Sequence, residues 1–455
     1  MNTQNVPTHI VVFADEADDH EQLLADAMGI KSAQEVPAGT EAGTRLLKAE
    51  RKTSSRVRPD GIVEMELYAG LGVAGADLAP TQAASLRRND RVIQVVENTY
   101  RSRPRPTVRK LLGPQGLELP PAPAMPLPTD PLAAYILGMK AALDNIARAV
   151  AQQGPPFNPA MAANLAVAAN GGGELGWPLT MMGLNGAPAE PTGKGIRVAL
   201  LDTGIDVDHP DLAAKVDLTE TTKCFVPNET VDDSDGHGTH CAGVIAGPHT
   251  PTSGPRFGVA PDAELLVGKV LGPTGGFDTW ILRGLAWAVA QRARVVSLSL
   301  GSVPDPNGYP SQYETAATRA LAQGTIVVAA SGNDSARPTH VRPVTVPANC
   351  PSIFAVGAVG RGGRIAAFSN ERVNAHPGAE IDFVAPGVEV LSTYLNGSYA
   401  LLSGTSMATP HVAGLAALYM EAFPHLNAAA IVSHMKSRSS PIAPQETYGS
   451  GLVRL

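Results

Sequence analysis

Apolar positions run along this chain in three successive rhythms. In the first, His9–Phe13 (H-I-V-V-F) is a short apolar run that predicts a strand. Residues 17–28 carry Leu23, Leu24, Ala27 and Met28 at helical spacing, with Gly29 placed to end the helix. Residues 31–60 are polar and basic and read as a loop. Val63, Met65 and Leu67 then alternate with Glu64 and Glu66, the period of a half-buried strand. Further strands are expected at 71–78 and 91–97, with a short helix between them from Pro80 to Leu86. The order β-α-β-β-α-β over residues 1–103 is that of a small α+β, ferredoxin-like module.

The second rhythm covers residues 104–173. Pro104, Pro106, Pro114, Pro120, Pro121, Pro123, Pro126 and Pro128 keep its first part extended and unsuited to a core. Asp130-Pro131 is a good helix start, cap followed by proline. A helix is therefore expected over about 131–152, with Leu132, Tyr135, Ile136, Met139, Leu143 and Ile146 at steps of three and four. Its polar face is not strongly basic, so the stripe reads as a packing surface rather than a membrane-binding one. Residues 151–173 read as a second linker. The third rhythm begins at Gly195. Near-continuous apolar runs at 196–201, 265–270, 295–300, 326–330, 353–359 and 381–384 are separated by helical segments. That pattern predicts an α/β domain over residues 174–455, its parallel sheet covered on both faces. Polar groups of such sheets gather at the carboxyl ends of the strands.

Four polar positions sit at such ends. Asp202 closes a run in L-L-D-T-G-I-D, and His237 lies in D-G-H-G-T-H. Asn333 follows V-V-A-A-S-G, and Ser406 lies in S-G-T-S-M-A-T-P-H-V-A-G, just before a helix expected to start at Thr409-Pro410. Taken singly, each has a plain structural reading: a cap, a buried histidine (His237 or His240), a turn residue, a tight helix–sheet contact. Together they meet the needs of acyl transfer. Ser406 Oγ requires a base. His237 supplies one, Asp202 orients it, and the Asn333 amide with the Ser406 N–H donates to a developing oxyanion.

Composition narrows the partners. The 455 residues are 44% apolar and 17% charged, an ordinary globular balance. A net charge of −7 argues against nucleic acid and anionic membranes. No run of about 20 apolar residues occurs, so no membrane span is expected. Cys224, Cys241 and Cys350 allow at most one disulfide. Residues 1–7 lack a basic stretch followed by an apolar one, which gives a cytoplasmic expectation with non-classical secretion left open.

D-T-G-I-D, H-G-T-H-C-A-G and G-T-S-M-A-T-P, in the order Asp, His, Ser, resemble the signature stretches of the subtilisin-like serine proteases, over about residues 174–455. The resemblance implies a three-layer, mostly parallel α/β domain and a serine endopeptidase forming an acyl-enzyme on polypeptide substrates. It implies no cofactor for the chemistry. Ser299, Leu300 and Gly301 would form one edge of an extended-peptide cleft, and Thr274, Gly275 and Gly276 the other. Ala330, Ser331, Gly332 and Thr345 would wall the pocket for the residue before the cut. Thr345 stands where roomier relatives have glycine, so a smaller or reshaped pocket is expected, and no carboxylate is evident at its floor. Thr405 resembles a secondary oxyanion contact.

Asp211, in H-P-D-L, matches an aspartate that helps hold structural calcium, but the loop after Ala246 departs from the usual asparagine-rich turn, leaving a cap as the alternative. The N-terminal module, ending V-I-Q-V-V-E-N, resembles the family's prodomain and implies a partner within the chain, a folding template and inhibitor of an autoprocessed zymogen. Two other readings stand beside this one: a dedicated peptide-maturation protease or transpeptidase, and a non-catalytic peptide-binding homologue.

Overall fold

The computed structural model describes residues 6–14, 20–28, 34–35, 44–50, 62–68, 70–102, 107–112, 118–119, 175–306, 308–373 and 376–455. Gly29 and the helix expected over 131–152 lie outside them. The N-terminal module contains strands β1 (His9–Phe13), β2 (Gln34–Glu35), β3 (Thr44–Glu50), β4 (Ile62–Tyr68), β5 (Val73–Ala76) and β6 (Val92–Glu97), with helices His20–Ala27 and Pro80–Leu86. They form one sheet in the order β2-β3-β4-β5-β1-β6, with antiparallel pairing throughout. All four expected strands and both helices are present. The polar stretch 31–60 is a correction, because β2 and β3 lie within it. β3 pairs with β4 from Thr44↔Tyr68 to Glu50↔Ile62. Main-chain hydrogen bonds hold such a strand near the sheet's edge without an apolar pattern of its own, so periodicity does not announce it.

Three short strands lead out of the module: β7 (Tyr100–Ser102), β8 (Thr107–Leu112) and β9 (Glu118–Leu119). The last two fall in the stretch expected to be linker.

The rest of the chain supplies β10 (Arg197–Asp202), β11 (Thr222–Cys224), β12 (Glu264–Lys269), β13 (Gly275–Phe277), β14 (Val295–Leu298), β15 (Ile326–Ala330), β16 (Phe354–Val359), β17 (Phe383–Pro386), β18 (Val390–Tyr394) and β19 (Ser398–Ser403). Seven of them make a wholly parallel sheet, β11-β12-β10-β14-β15-β16-β17. Six are the expected apolar runs, shifted by a residue or two at their ends. β11, a three-residue T-K-C, carries no such signal.

Alternate residues of β10 explain the three layers, since successive side chains point to opposite faces. Val198 and Leu200 face helices His237–Ala246 and Thr405–Ala422, while Ala199 and Leu201 face helices Asp278–Ala290 and Ser311–Ala322. Two small sheets flank this core. β7 lies antiparallel on β13, Gly275↔Ser102 through Phe277↔Tyr100. β8 lies antiparallel on β19, Ser403↔Thr107 through Tyr399↔Leu112, in the order β18-β19-β8-β9.

Candidate active site

β10 ends in Asp202, whose side chain is fully buried. Its Oδ1 accepts the Thr203 N–H at 2.8 Å and lies 2.6 Å from His237 Nδ1. His237 is the first residue of its helix. The preceding Gly236 has φ 93°, and a Cβ there would meet the Tyr394 ring at 2.4 Å. Only glycine fits that turn. Asp233, which sequence reasoning missed, secures the same corner. Its Oδ1 accepts from Thr203 Oγ1 at 2.9 Å, and its Oδ2 from Thr239 N and Oγ1 at 2.9 and 2.7 Å. Burial pushes its carboxyl up, but the Thr239 donors and neighbouring backbone N–H groups outweigh burial and hold it below its ordinary value. D-D-S-D-G-H contains three similar aspartates, and no sequence signal separates them.

His240 resolves as structural. Its Nε2 bonds the carbonyls of Val390 and Ala400 at 3.0 and 3.2 Å, and burial lowers its pKa to about 3. His411 is likewise buried and lowered to about 4.

Ser406 is the second residue of helix Thr405–Ala422, so the helix begins earlier than the Thr409-Pro410 expectation. Pro410 lies inside it and has no N–H to give the carbonyl four residues back. That carbonyl belongs to Ser406 and is bonded instead by Ser299 Oγ at 2.8 Å and Cys241 Sγ at 3.4 Å. The Ser406 N–H lies in the first turn, where the helix supplies no acceptor. Cys241 Sγ also lies within 4.8 Å of ligand atoms of Asp202 and His237. One buried thiol thus touches the serine's backbone and neighbours the acid–base pair. None of the three cysteines forms a disulfide.

Asn333 follows β15. Its Oδ1 accepts from Thr405 N at 2.8 Å and Thr405 Oγ1 at 2.9 Å, while Nδ2 is buried with no hydrogen-bond partner. Leaving such a donor unpaired is costly in a stable fold. The arrangement suits an acceptor that arrives with substrate. Two hydroxyls of the expected cleft residues have protein partners here. The single hydroxyl hydrogen of Thr405 goes to Asn333, making Thr405 a positioning group. Ser299 is buried and its hydroxyl is spent on the Ser406 carbonyl, so only its backbone is left to the cleft edge.

Gly275 and Gly276 lie on the β13 edge, and the opposite edge runs through buried Leu300 and half-buried Gly301 to Ser302, whose N–H bonds Val346 O at 3.0 Å. Ala330, Ser331 and Gly332 meet Thr345 across the expected pocket, with Thr345 N–H bonded to Ser331 O at 3.0 Å. A Cβ on Gly301 would lie 2.5 Å from Thr345 Oγ1, and one on Gly332 would lie 2.6 Å from Thr345 Cγ2. The threonine fills the space between two glycine walls.

Asp211 does not fit calcium. Its Oδ1 accepts from Thr252 N and Oγ1 at 2.9 and 2.6 Å, and its Oδ2 from Tyr399 OH at 2.7 Å. Protein donors occupy both oxygens, and the calcium expectation at Asp211 is withdrawn.

A profile described as the subtilase family matches residues 193–451. Over 264 residues the chain is 43% identical to Subtilisin Savinase of Lederbergia lenta, which covers 58% of this chain and 90% of that protein. Subtilisin E of Bacillus subtilis (strain 168) is 39% identical over 267 residues, 58% of this chain and 65% of that protein. Among solved structures, sphericase is similar with a TM-score of 0.52 at 29% identity, covering 61% of this chain and 97% of that chain. The fold is subtilisin-like, and the subtilisins need no cofactor for catalysis. Kinship with the subtilisins, which are secreted extracellular proteases, overturns the cytoplasmic expectation. That expectation rested on the lack of a leader pattern in seven residues, an absence that carries no weight against it.

Proposed function

The chain belongs to the subtilase family and is a serine endopeptidase that hydrolyses peptide bonds, and from that premise we propose which of its groups carry the reaction. Ser406 Oγ attacks the scissile carbonyl. His237 Nε2 takes the hydroxyl proton, Nδ1 remaining held by Asp202, and later delivers it to the leaving amine. The resulting acyl-enzyme is hydrolysed by water through the same base. Asn333 Nδ2 and the Ser406 N–H donate to the tetrahedral oxyanion. The observation that carries the assignment is the buried 2.6 Å Asp202–His237 contact, linked through Cys241 to the turn that carries Ser406.

The N-terminal module acts as the first ligand of its own cleft. β7 occupies the β13 edge, and β8 begins at Thr107 opposite Ser403, three residues before Ser406. The peptide bonds between Ser102 and Thr107 are where self-cleavage falls. Intact-mass measurement and N-terminal sequencing test both proposals together. Wild type is expected to yield a chain starting within residues 103–107, and Ser406→Ala to remain whole. A wild-type chain that stays at 455 residues refutes the self-processing.

A further inference from the structure

Asp278 is a buried carboxylate that the chemistry above does not use. It is fully buried, follows β13 directly and opens helix Asp278–Ala290. β7 runs along this edge, and the Asp278 N–H extends the pairing by donating to Thr99 O at 3.0 Å. From β7 the Arg101 side chain reaches Asp278 with two arms, Nε to Oδ1 at 2.7 Å and Nη2 to Oδ2 at 2.8 Å. Its Nη1 donates to Ser302 Oγ at 3.1 Å, on the opposite edge of the cleft. The carboxylate's other neighbours are neutral: Tyr313 OH donates to Oδ1 at 2.8 Å and Gln312 Nε2 approaches Oδ2 at 3.4 Å. Among the described residues, the only salt bridge to Asp278 is that of Arg101.

Every other side chain in this cluster belongs to the peptidase region and stays when the strand bearing Arg101 is exchanged for another peptide. Such an exchange leaves a negative charge in a buried site with only neutral donors around it. A lone buried charge is strongly unfavourable, and a cation delivered by the incoming strand relieves it. The two-armed geometry matches a guanidinium fork; lysine brings one point charge and cannot make both bonds in plane.

We propose that Asp278 is a specificity residue that makes the cleft select polypeptides carrying arginine at the strand position of Arg101, upstream of the cut. The selection is separate from the pocket narrowed by Thr345. It rests on the serine-endopeptidase reading of this cleft and adds a charge requirement to it.

The test uses the full chain as purified, its active serines counted with a fluorophosphonate. It is given a randomised peptide library, then matched peptides with arginine, lysine, citrulline or leucine at the enriched position. Arginine should be enriched at one fixed position upstream of the cut. There kcat/KM should exceed that for leucine or citrulline on the order of 10²-fold, the scale on which a broken buried ion pair acts, with lysine between. Asp278→Asn should remove that preference, bringing the arginine, citrulline and leucine peptides to similar kcat/KM values. Cleavage with no arginine enrichment, or enrichment that survives Asp278→Asn, overturns the proposal and leaves the peptidase reading standing. A wild type that neither takes the label nor cleaves any peptide sinks the peptidase reading and this proposal with it. If Asp278→Asn does not fold, the wild-type arginine, citrulline and leucine series decides alone.

Discussion

The N-terminal module and the peptidase region bury their sheets by different means. The peptidase sheet covers both faces with its own helices. The module covers one face only, packing Val11 and Phe13 against Leu24, Met28 and Leu86. Its other face, with Ile10, Tyr68, Leu71 and Val73, joins the cluster of Trp280, Ile281, Tyr313 and Ala317 in the peptidase region. Apart from Asp278, which borrows Arg101, the charges named here follow the same division. Asp202, His237 and Asp233 find their partners inside the peptidase region, whereas buried Glu66 of the module is paired with Arg283 across the boundary, Nε to Oε2 at 2.8 Å. A unit short of one layer must borrow it. Its attachment can then be lost without disturbing Asp202, His237 or Asp233, as the self-cleavage proposed above requires.

The sharpest way to break this comparison is to remove the borrowed charge pair. Glu66→Ala removes the fully buried carboxylate that pairs with Arg283 across the boundary. Breaking a buried pair costs about 3–5 kcal/mol. In the uncleaved Ser406→Ala background, amide exchange in β1 and β5 should speed up by a corresponding factor, with exchange in β10 and β14 unchanged. In a processed enzyme, the same substitution should leave kcat/KM alone. Unaltered protection of β1 would mean that the module holds its fold without the peptidase surface.

Asn333 provides the converse experiment. Asn333→Ala removes an oxyanion donor and should lower kcat by about 10²–10³, a scale set by the equivalent asparagine of subtilisin rather than by the geometry here. It also deprives Thr405 of an acceptor, so some stability is lost with it. Asn333→Asp restores the acceptor without the donor. It should recover melting temperature relative to alanine while turnover stays low. If turnover returned with stability, Asn333 would be a scaffold residue only.

How much of this was legible in the sequence depends on what wrote the signal. Six of the seven parallel strands are buried on both faces, so continuous apolar runs mark them; the motif residues are marked by glycines that allow tight turns at strand ends. β13, β18 and β19 have no comparable run, since they are short or polar and are held by main-chain pairing to a neighbour. Asp278 shows the deeper limit. In G-G-F-D-T-W it looks like an acid at a helix start, and its meaning depends on Arg101, 177 residues away. Thr405 has the position of an oxyanion contact, but where its one hydroxyl hydrogen goes is a question of three-dimensional geometry.

Acid should expose the closed character of the peptidase core. His240 has a folded pKa of about 3, because burial outweighs the favourable carbonyls of Val390 and Ala400; burial likewise holds His411 at about 4. Unfolded histidine titrates near 6.5. Between those values the unfolded chain binds more protons, so stability is complete above about pH 6.5 and falls as pH drops toward 4. The Asp233 contribution has the same sign but begins only near the ordinary carboxylate range, below the upper part of this window. Urea unfolding of Ser406→Ala at pH 7, 5.5 and 4.5 should therefore show a steady loss already by pH 5.5. A flat profile from 7 to 5.5 would show that these histidines are not buried uncharged.

The smallest effect expected is at Asp211, and it separates a metal ligand from a cap. Both of its oxygens accept hydrogen bonds from protein donors, and one donor, Tyr399, has its phenol pushed up, by burial first and Asp211 second, so it keeps its proton. Asp211→Ala strands the Thr252 N–H and the Tyr399 hydroxyl, costing about 1–3 kcal/mol. In the inactive Ser406→Ala chain that loss should be the same with and without a calcium chelator, because no ion shares the carboxylate. If Asp211 held calcium, the chelator would lower the wild-type melting temperature and have less effect on the alanine variant. Additive losses keep this corner within the closed accounting of the peptidase region. A chelator effect that vanishes with Asp211 would make it depend on a borrowed partner, as the N-terminal module does.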